Sequence, residues 1–240
     1  EAQCPQKREI INTVEVSIEK TGVQYLIELL NKSNDFAIKQ ATAKALVNIG
    51  NSQAVPALSN LLTSSDKEVV ALGKESLATF KGDVTSSVAK IIPTLGDQGK
   101  IAAVELFAMR RATNFLNVVL ELTKSGSKDV KDTAYNALKD VVGEKDVTNL
   151  CGMLESAEPS AVAPVQQALV ASLSSHSASQ QVETITRRML QAGESKKYLY
   201  YWTLSTTGES KALSMIVDGI ENGKGDAKDA AFASLSTWQG

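Results

Sequence analysis

Histidine is almost absent from this 240-residue chain: His176 is the only one. That removes any His-rich zinc site and any Cys-His pair of credible spacing, because zinc is held by several imidazole or thiolate ligands together. His176 lies among Ser174, Ser175, Ser177 and Ser179, between two helical patterns, which makes it an exposed loop residue and a poor candidate for a general base. Cysteine is nearly as scarce, with Cys4 and Cys151 alone. Roughly four helical hairpins are predicted between them, and stacked hairpins ~10 Å apart put the thiols far beyond the ~7 Å Cα separation a disulfide tolerates. Cys151 falls on the apolar stripe of its helix and is expected to be a buried, unbridged thiol.

No apolar run approaches the roughly 18 residues of a membrane-spanning helix. An excess of basic charge is also missing: 25 Lys and Arg against 27 Asp and Glu give a net charge of −2, and the basic residues are spread evenly. Nucleic-acid binders show a basic excess or stripe, so nucleic acid is not expected as a partner. Aromatic residues make up only 5% of the chain. No alternating apolar–polar pattern of useful length occurs, which excludes a sheet. The chain opens on Glu-Ala-Gln instead of Met, so either a signal peptide or more protein is expected ahead of it; it is read as a segment of a longer protein, its compartment unknown.

Aliphatic residues, by contrast, are plentiful and periodic. Over Asp35 to Asp66, Ile38, Ala41, Ala45, Leu46 and Ile49 recur at three- and four-residue steps, the pattern of one helix face. Asn34 or Asp35 can cap that helix and Gly50 can end it in a left-handed conformation. A second stripe, Val55, Leu58, Leu61 and Leu62, follows within a few residues; Pro56 sits in its first turn, and Asn51 and Ser52 are candidate caps. So short a connection folds the two helices antiparallel.

The rest of the chain repeats this hairpin. The pair Ala45-Leu46 recurs as Ser76-Leu77, Ala108-Met109, Ala137-Leu138, Ala168-Leu169, Thr203-Leu204 and Ser234-Leu235, at steps of 31, 32, 29, 31, 35 and 31 residues. A period in that range marks a repeat architecture. Residues 7–31 read as an earlier copy, with Ile10, Ile11 and Val14 on one stripe, Val23, Leu26, Leu29 and Leu30 on the next, and a break at Thr21-Gly22. Further breaks are expected at Ser64-Ser65-Asp66, Lys81-Gly82-Asp83, Asp97-Gln98-Gly99, Ser125-Gly126-Ser127, Gly143, Glu158-Pro159-Ser160, Gly193, Gly208 and Gly223 to Gly225.

The copies resemble short HEAT-like repeats of the armadillo type. The resemblance is carried by Asp129-Val130-Lys131 through Ala134 to Ala137-Leu138, and by Ile38-Lys39 through Ala45-Leu46 and Ile49-Gly50, followed by Ala54-Val55-Pro56 and Leu58. Asp226, Lys228, Ala231 and Leu235 make a partial copy. It implies an all-α fold: a right-handed α-solenoid of about seven two-helix repeats, the last incomplete, continuous over residues 1–240. The copy at 196–204 departs from the pattern, with Lys196 at the aliphatic position and Tyr200 and Tyr201 at small ones.

The resemblance also implies that second helices line the surface where partners bind. Their leading core residues are Val55, Val88, Phe115, Val147, Val182 and Leu213. Residues two positions later then face solvent (Ala57, Lys90, Asn117, Asn149, Thr184 and Met215), as do those five later (Asn60, Pro93, Leu120, Gly152, Arg187 and Asp218). Neither column is a basic ladder for phosphates or an aromatic row for stacking bases. Lys90, Asn117, Asn149, Thr184, Arg187 and Met215 are the partner-contact candidates, with Trp202, at an outward position in the Tyr198–Trp202 cluster. Arg110-Arg111 and Arg187-Arg188 read as solvated flanks.

No catalytic, cofactor or metal-ligating set emerges. One histidine removes the HEAT-like di-iron hydroxylases, which need several His-Glu pairs. Gly208-Glu209-Ser210-Lys211-Ala212 lacks the last glycine and the preceding strand of a nucleophile elbow, and Ser210 reads instead as a helix cap. Gly219 to Lys224 is one residue short of a phosphate loop and is followed by Gly225 instead of Ser or Thr, so an inter-repeat turn is expected. The leading expectation is a non-enzymatic interaction or scaffolding module for a protein or an adjacent domain of its own chain. The alternative from another class is a HEAT-like-fold enzyme, a DNA glycosylase or a phycobilin lyase, which a continuous positive groove or bilin binding would favour. At the C-terminal end Phe232, Leu235 and Trp238 are expected to lack a covering helix, leaving room for an end-to-end contact or for further chain.

Overall fold

A computed structural model of the chain describes residues 21–238 and 240, among which every regular element is helical. The stripe at Ile10, Ile11 and Val14, and Cys4, lie outside the described residues. The helices are α1 (21–32), α2 (Phe36–Ile49), α3 (Val55–Asn60), α4 (Lys67–Thr79), α5 (Thr85–Ile91), α6 (Asp97–Met109) and α7 (Leu116–Leu122). Then follow α8 (Lys128–Val141), α9 (Val147–Glu155), α10 (Pro159–Ser172), α11 (Ala178–Ala192), α12 (Tyr198–Ser205), α13 (Ser210–Asn222) and α14 (Asp226–Leu235). The chain divides into two compact units, at Arg110–Arg111.

In the first unit α2, α4 and α6 pack side by side as first helices, and α3 packs against α5 in the second layer. Local chemistry sets the ends. The Asp35 carboxylate accepts the Ala37 and Ile38 N–H groups at 2.8 and 3.3 Å, opening α2. Gly50 closes it at φ 71°, donating its N–H to the Leu46 carbonyl. The Asn51 side chain accepts the Gln53 N–H at 2.9 Å, and Pro56 sits in the first turn of α3. Asp66 repeats the capping at α4, accepting from the Glu68 N–H at 2.9 Å.

Leu46 and Leu77 are fully buried, each stabilising the fold by about 1.5–3 kcal/mol. Several expectations need correction in this unit. On α2 the buried face is Thr42, Ala43 and Leu46; Ala41 is exposed and Ala45 half-buried, and Ile38 and Ile49 are each 41% exposed, because the helix packs on the edge that also carries Thr42 and Ala43. On α6 the core pair is Leu106-Phe107, both fully buried, whereas Met109 is 58% exposed. The helix starts where a break is expected: the turn falls at Leu95-Gly96, and Asp97-Gln98-Gly99 is its first turn. Gly99 is needed for contact: a Cβ there would lie 2.2 Å from the Leu62 carbonyl oxygen. Thr21-Gly22, expected to be a break, is helical.

In the second unit α8, α10, α12 and α14 are the stacked first helices. Val130, Ala134 and Leu138 of α8 are fully buried, as are Ala168 and Leu169 of α10 and Tyr200 and Leu204 of α12. Pro159 begins α10 instead of breaking the chain, its missing N–H falling among the donors a helix start leaves unpaired. Glu209 holds the N-cap position of α13 and Ser210 is the first helical residue, so Ser210 is not the cap. Gly219, expected in a turn, lies buried inside α13, while Gly223 and Gly225 form the turn before α14.

Hydrogen bonds spaced one repeat apart stitch each unit. In the first, Lys74 pairs with Glu105 at 2.7 Å, and the Arg110 guanidinium donates to the Leu77 carbonyl at 2.6 Å and to the Phe80 carbonyl. Arg110 is therefore half-buried and satisfies carbonyls at the C-terminal end of α4, not a solvated flank. In the second, Lys131 pairs with Glu158 at 3.0 Å, the Gln166 amide donates to the Leu199 carbonyl at 2.7 Å, and the Ser205 and Thr237 hydroxyls lie 2.9 Å apart.

Candidate protein-interaction surface

The second helices α7, α9, α11 and α13 carry the expected contact residues of the second unit, Trp202 apart. A reciprocal cap starts α11: the Gln180 side chain accepts the Ser177 N–H at 3.0 Å, and the Ser177 hydroxyl accepts the Gln180 N–H at 3.4 Å. Val182, Ile185 and Met189 then turn inward, which leaves Glu183, Arg187 and Leu190 outside. On α9 the inward residues are Val147, Leu150, Cys151 and Leu154, and Asn149 faces solvent. Two bonds between neighbouring helices hold this layer: Arg188 of α11 donates to the Thr148 hydroxyl of α9, and Thr186 of α11 donates to the Met215 sulfur of α13 at 3.2 Å. Arg188 is thereby half-buried, while Arg187 stays exposed and pairs with Glu183 at 2.8 Å.

Lys90 on α5, Asn117 on α7, Asn149 on α9 and Arg187 on α11 are exposed. Thr184 and Met215 are half-buried. Trp202 is half-buried on α12, a first helix, and so does not stand on the second helices of its unit. Ala57 is buried, contrary to expectation, because the six-residue α3 packs on both α4 and α5. Leu190, 60% exposed on the same face as Arg187, was missed; it stands one residue beyond the inward stripe ending at Met189, and that spacing is readable in the sequence.

Behind the layer lies a buried polar cluster. The Tyr200 hydroxyl of α12 donates to the Glu155 carboxylate of α9 at 2.7 Å, and burial first, then this bond, pushes its phenol well above the ordinary value. Burial likewise pushes the neighbouring Cys151 thiol up, opposed by a hydrogen bond with Tyr200. Both groups stay protonated and serve packing; a thiol needs the reverse shift to become a nucleophile. His176 is not the exposed loop residue expected: its side chain is 23% exposed, its Nε2 lies 3.2 Å from Glu144, and its Nδ1 is buried without a partner. Among the described residues no cluster of His, Cys, Asp or Glu is placed to hold a metal, and no helix is long and apolar enough to cross a membrane.

Residues 7–84 match the family model for HEAT repeats. Over that segment the chain is similar to HEAT repeats. No curated protein matches the sequence. Among solved structures, the crystal structure of an engineered protein is similar over 90% of this chain and 96% of its own, at 17% identity and a TM-score of 0.44. Within the matched HEAT segment the structure also holds a feature absent from the sequence reading, a groove of about 790 Å³ between the first helices α2 and α4. Gln40, Lys44 and Asn48 line one wall at four-residue steps, and Glu75 stands on the other.

Proposed function

We propose that the chain is a non-enzymatic protein-interaction or scaffolding module, presenting the outer face of its second helices to a protein or to an adjacent domain. The observation that carries this is the division of labour on α9 and α11. Their apolar stripes are spent on the core, and their other faces hold Asn149, Arg187 and the exposed Leu190 in solvent. The Arg188–Thr148 and Thr186–Met215 bonds fix the helices against one another, so the face needs little ordering on binding. An exposed leucine flanked by an arginine and amides suits a protein surface, where anchors are apolar and the rim is polar.

The test is a full-length variant with Asn149→Glu, Arg187→Glu and Leu190→Glu. All three side chains are exposed, so circular dichroism and Tm should match the parent protein. Proteins cross-linked to the parent chain in an extract of its own cells should be lost from the variant. An unchanged set of cross-linked proteins on a folded variant would contradict the proposal.

A further inference from the structure

The α2–α4 groove and the outer face of α14 have complementary chemistry. Lys44 and Val47 of α2, Leu72 and Glu75 of α4, and Lys81 line the groove. The neighbouring seam, between α4 and α6, is closed by the Lys74–Glu105 pair. Buried Ala43 stands three residues before Leu46 on α2, the place that Lys74 holds before Leu77 on α4. Glu75 therefore lacks the lysine that Glu105 has, and Lys44, Glu75 and Lys81 make no ion pair among the described residues.

On α14, Ala231 and Ser234 face inward, while Phe232 is 65% and Leu235 36% exposed. Asp226 and Asp229 stand in its first turn with Lys228 between them, all exposed and likewise free of ion pairs among the described residues. The helix thus offers two negative charges, one positive charge and an apolar tip. The groove offers two positive charges, one negative charge and an aliphatic floor.

We propose that α14 of one copy of this chain docks into the α2–α4 groove of a second copy. Asp226 and Asp229 meet Lys44 and Lys81, Lys228 meets Glu75, and Phe232 lies on Val47 and Leu72. The two surfaces differ, so the contact is head to tail and can propagate. One helix in one groove is a small interface, so the association is of micromolar class and weakens with salt.

Sedimentation velocity on the full chain tests this with two variants, Phe232→Asp and the pair Lys44→Glu with Lys81→Glu. All three positions are exposed, and circular dichroism confirms folding. The parent chain should rise above its 25.6 kDa monomer mass with concentration, and each variant alone should stay monomeric. An equimolar mixture of the two variants should give a one-to-one dimer and nothing larger, since one keeps the groove and the other keeps the helix. A parent chain monomeric at every concentration overturns the proposal. So does self-association of the lysine variant, which would mean α14 pairing with itself, and so does a mixture that stays monomeric while the parent associates.

Discussion

Ahead of α5 the Asp83 carboxylate accepts hydrogen bonds from the Ser86 hydroxyl at 2.6 Å and the Thr85 hydroxyl at 2.8 Å. These bonds, that of Ser86 first, hold its carboxyl below the ordinary 3.8. A carboxylate whose folded value is depressed stabilises the fold fully above its unfolded value and loses that contribution as pH falls toward the folded one. Asp83 stands one residue before the N-cap Val84 and accepts the Ser86 N–H at 3.3 Å from an exposed position, so Asp83→Ala should cost less than about 1 kcal/mol near neutral pH. The gap in Tm between parent and variant should be flat from neutral pH down to about 5 and shrink below 3.8; thermal melts across that range check it, and a gap that widens in acid would contradict it. Gly99 makes a separate case. With the Leu62 carbonyl 2.2 Å from where its Cβ would be, Gly99→Ala should destabilise by about 1–3 kcal/mol in urea unfolding. Gly126→Ala, with nothing within 4 Å, should be close to neutral.

At the scale of helices, burial decides which of two neighbouring readings of α6 is right. Phe107 takes the place that Leu46 and Leu77 hold on α2 and α4, so Phe107→Ala should cost about 3–5 kcal/mol. Met109→Ala, at a surface position, should fall within about 0.5 kcal/mol of the parent. Equal effects in denaturant unfolding would contradict the assigned register. The same helix shows why the sequence was only partly readable. Hairpins at Gly50, Ser125-Gly126-Ser127 and Gly193 follow from turn chemistry and strong apolar spacing, and they stand where they were expected. In α6 nearly every residue from Ile101 to Met109 is apolar, so spacing alone cannot separate Leu106-Phe107 from Ala108-Met109. Only the neighbouring helix picks the buried pair. Glycine is ambiguous for a related reason: Gly50 ends a helix through its own φ, whereas Gly99 and Gly219 lie inside helices to admit a neighbour, and nothing local distinguishes the two uses. Half-buried His176 and Arg110 also depended on partners a repeat away, Glu144 and the Leu77 carbonyl.

For the chain as a whole, the second helices of each unit were legible as far as their exposed positions: Lys90 in the first unit, and Asn117, Asn149 and Arg187 in the second, are in solvent. The bonds that fix the second helices of the second unit, Arg188 to Thr148 and Thr186 to Met215, span 40 and 29 residues and leave no local trace. The groove between α2 and α4 was hidden as well, because it arises from what a seam lacks: an alanine at position 43 where the next first helix has a lysine. Protein binding through the outer face of α9 and α11 is the proposed mode of action. Its most direct measurement places a photo-reactive amino acid at Asn149 or Leu190, and at Gln167 on the exposed face of the first helix α10 as a control. On irradiation in an extract of the source cells, Asn149 and Leu190 should give the same discrete protein adducts, absent at Gln167. Adducts of equal yield and identity at all three positions, or at Gln167 alone, would contradict binding through this face.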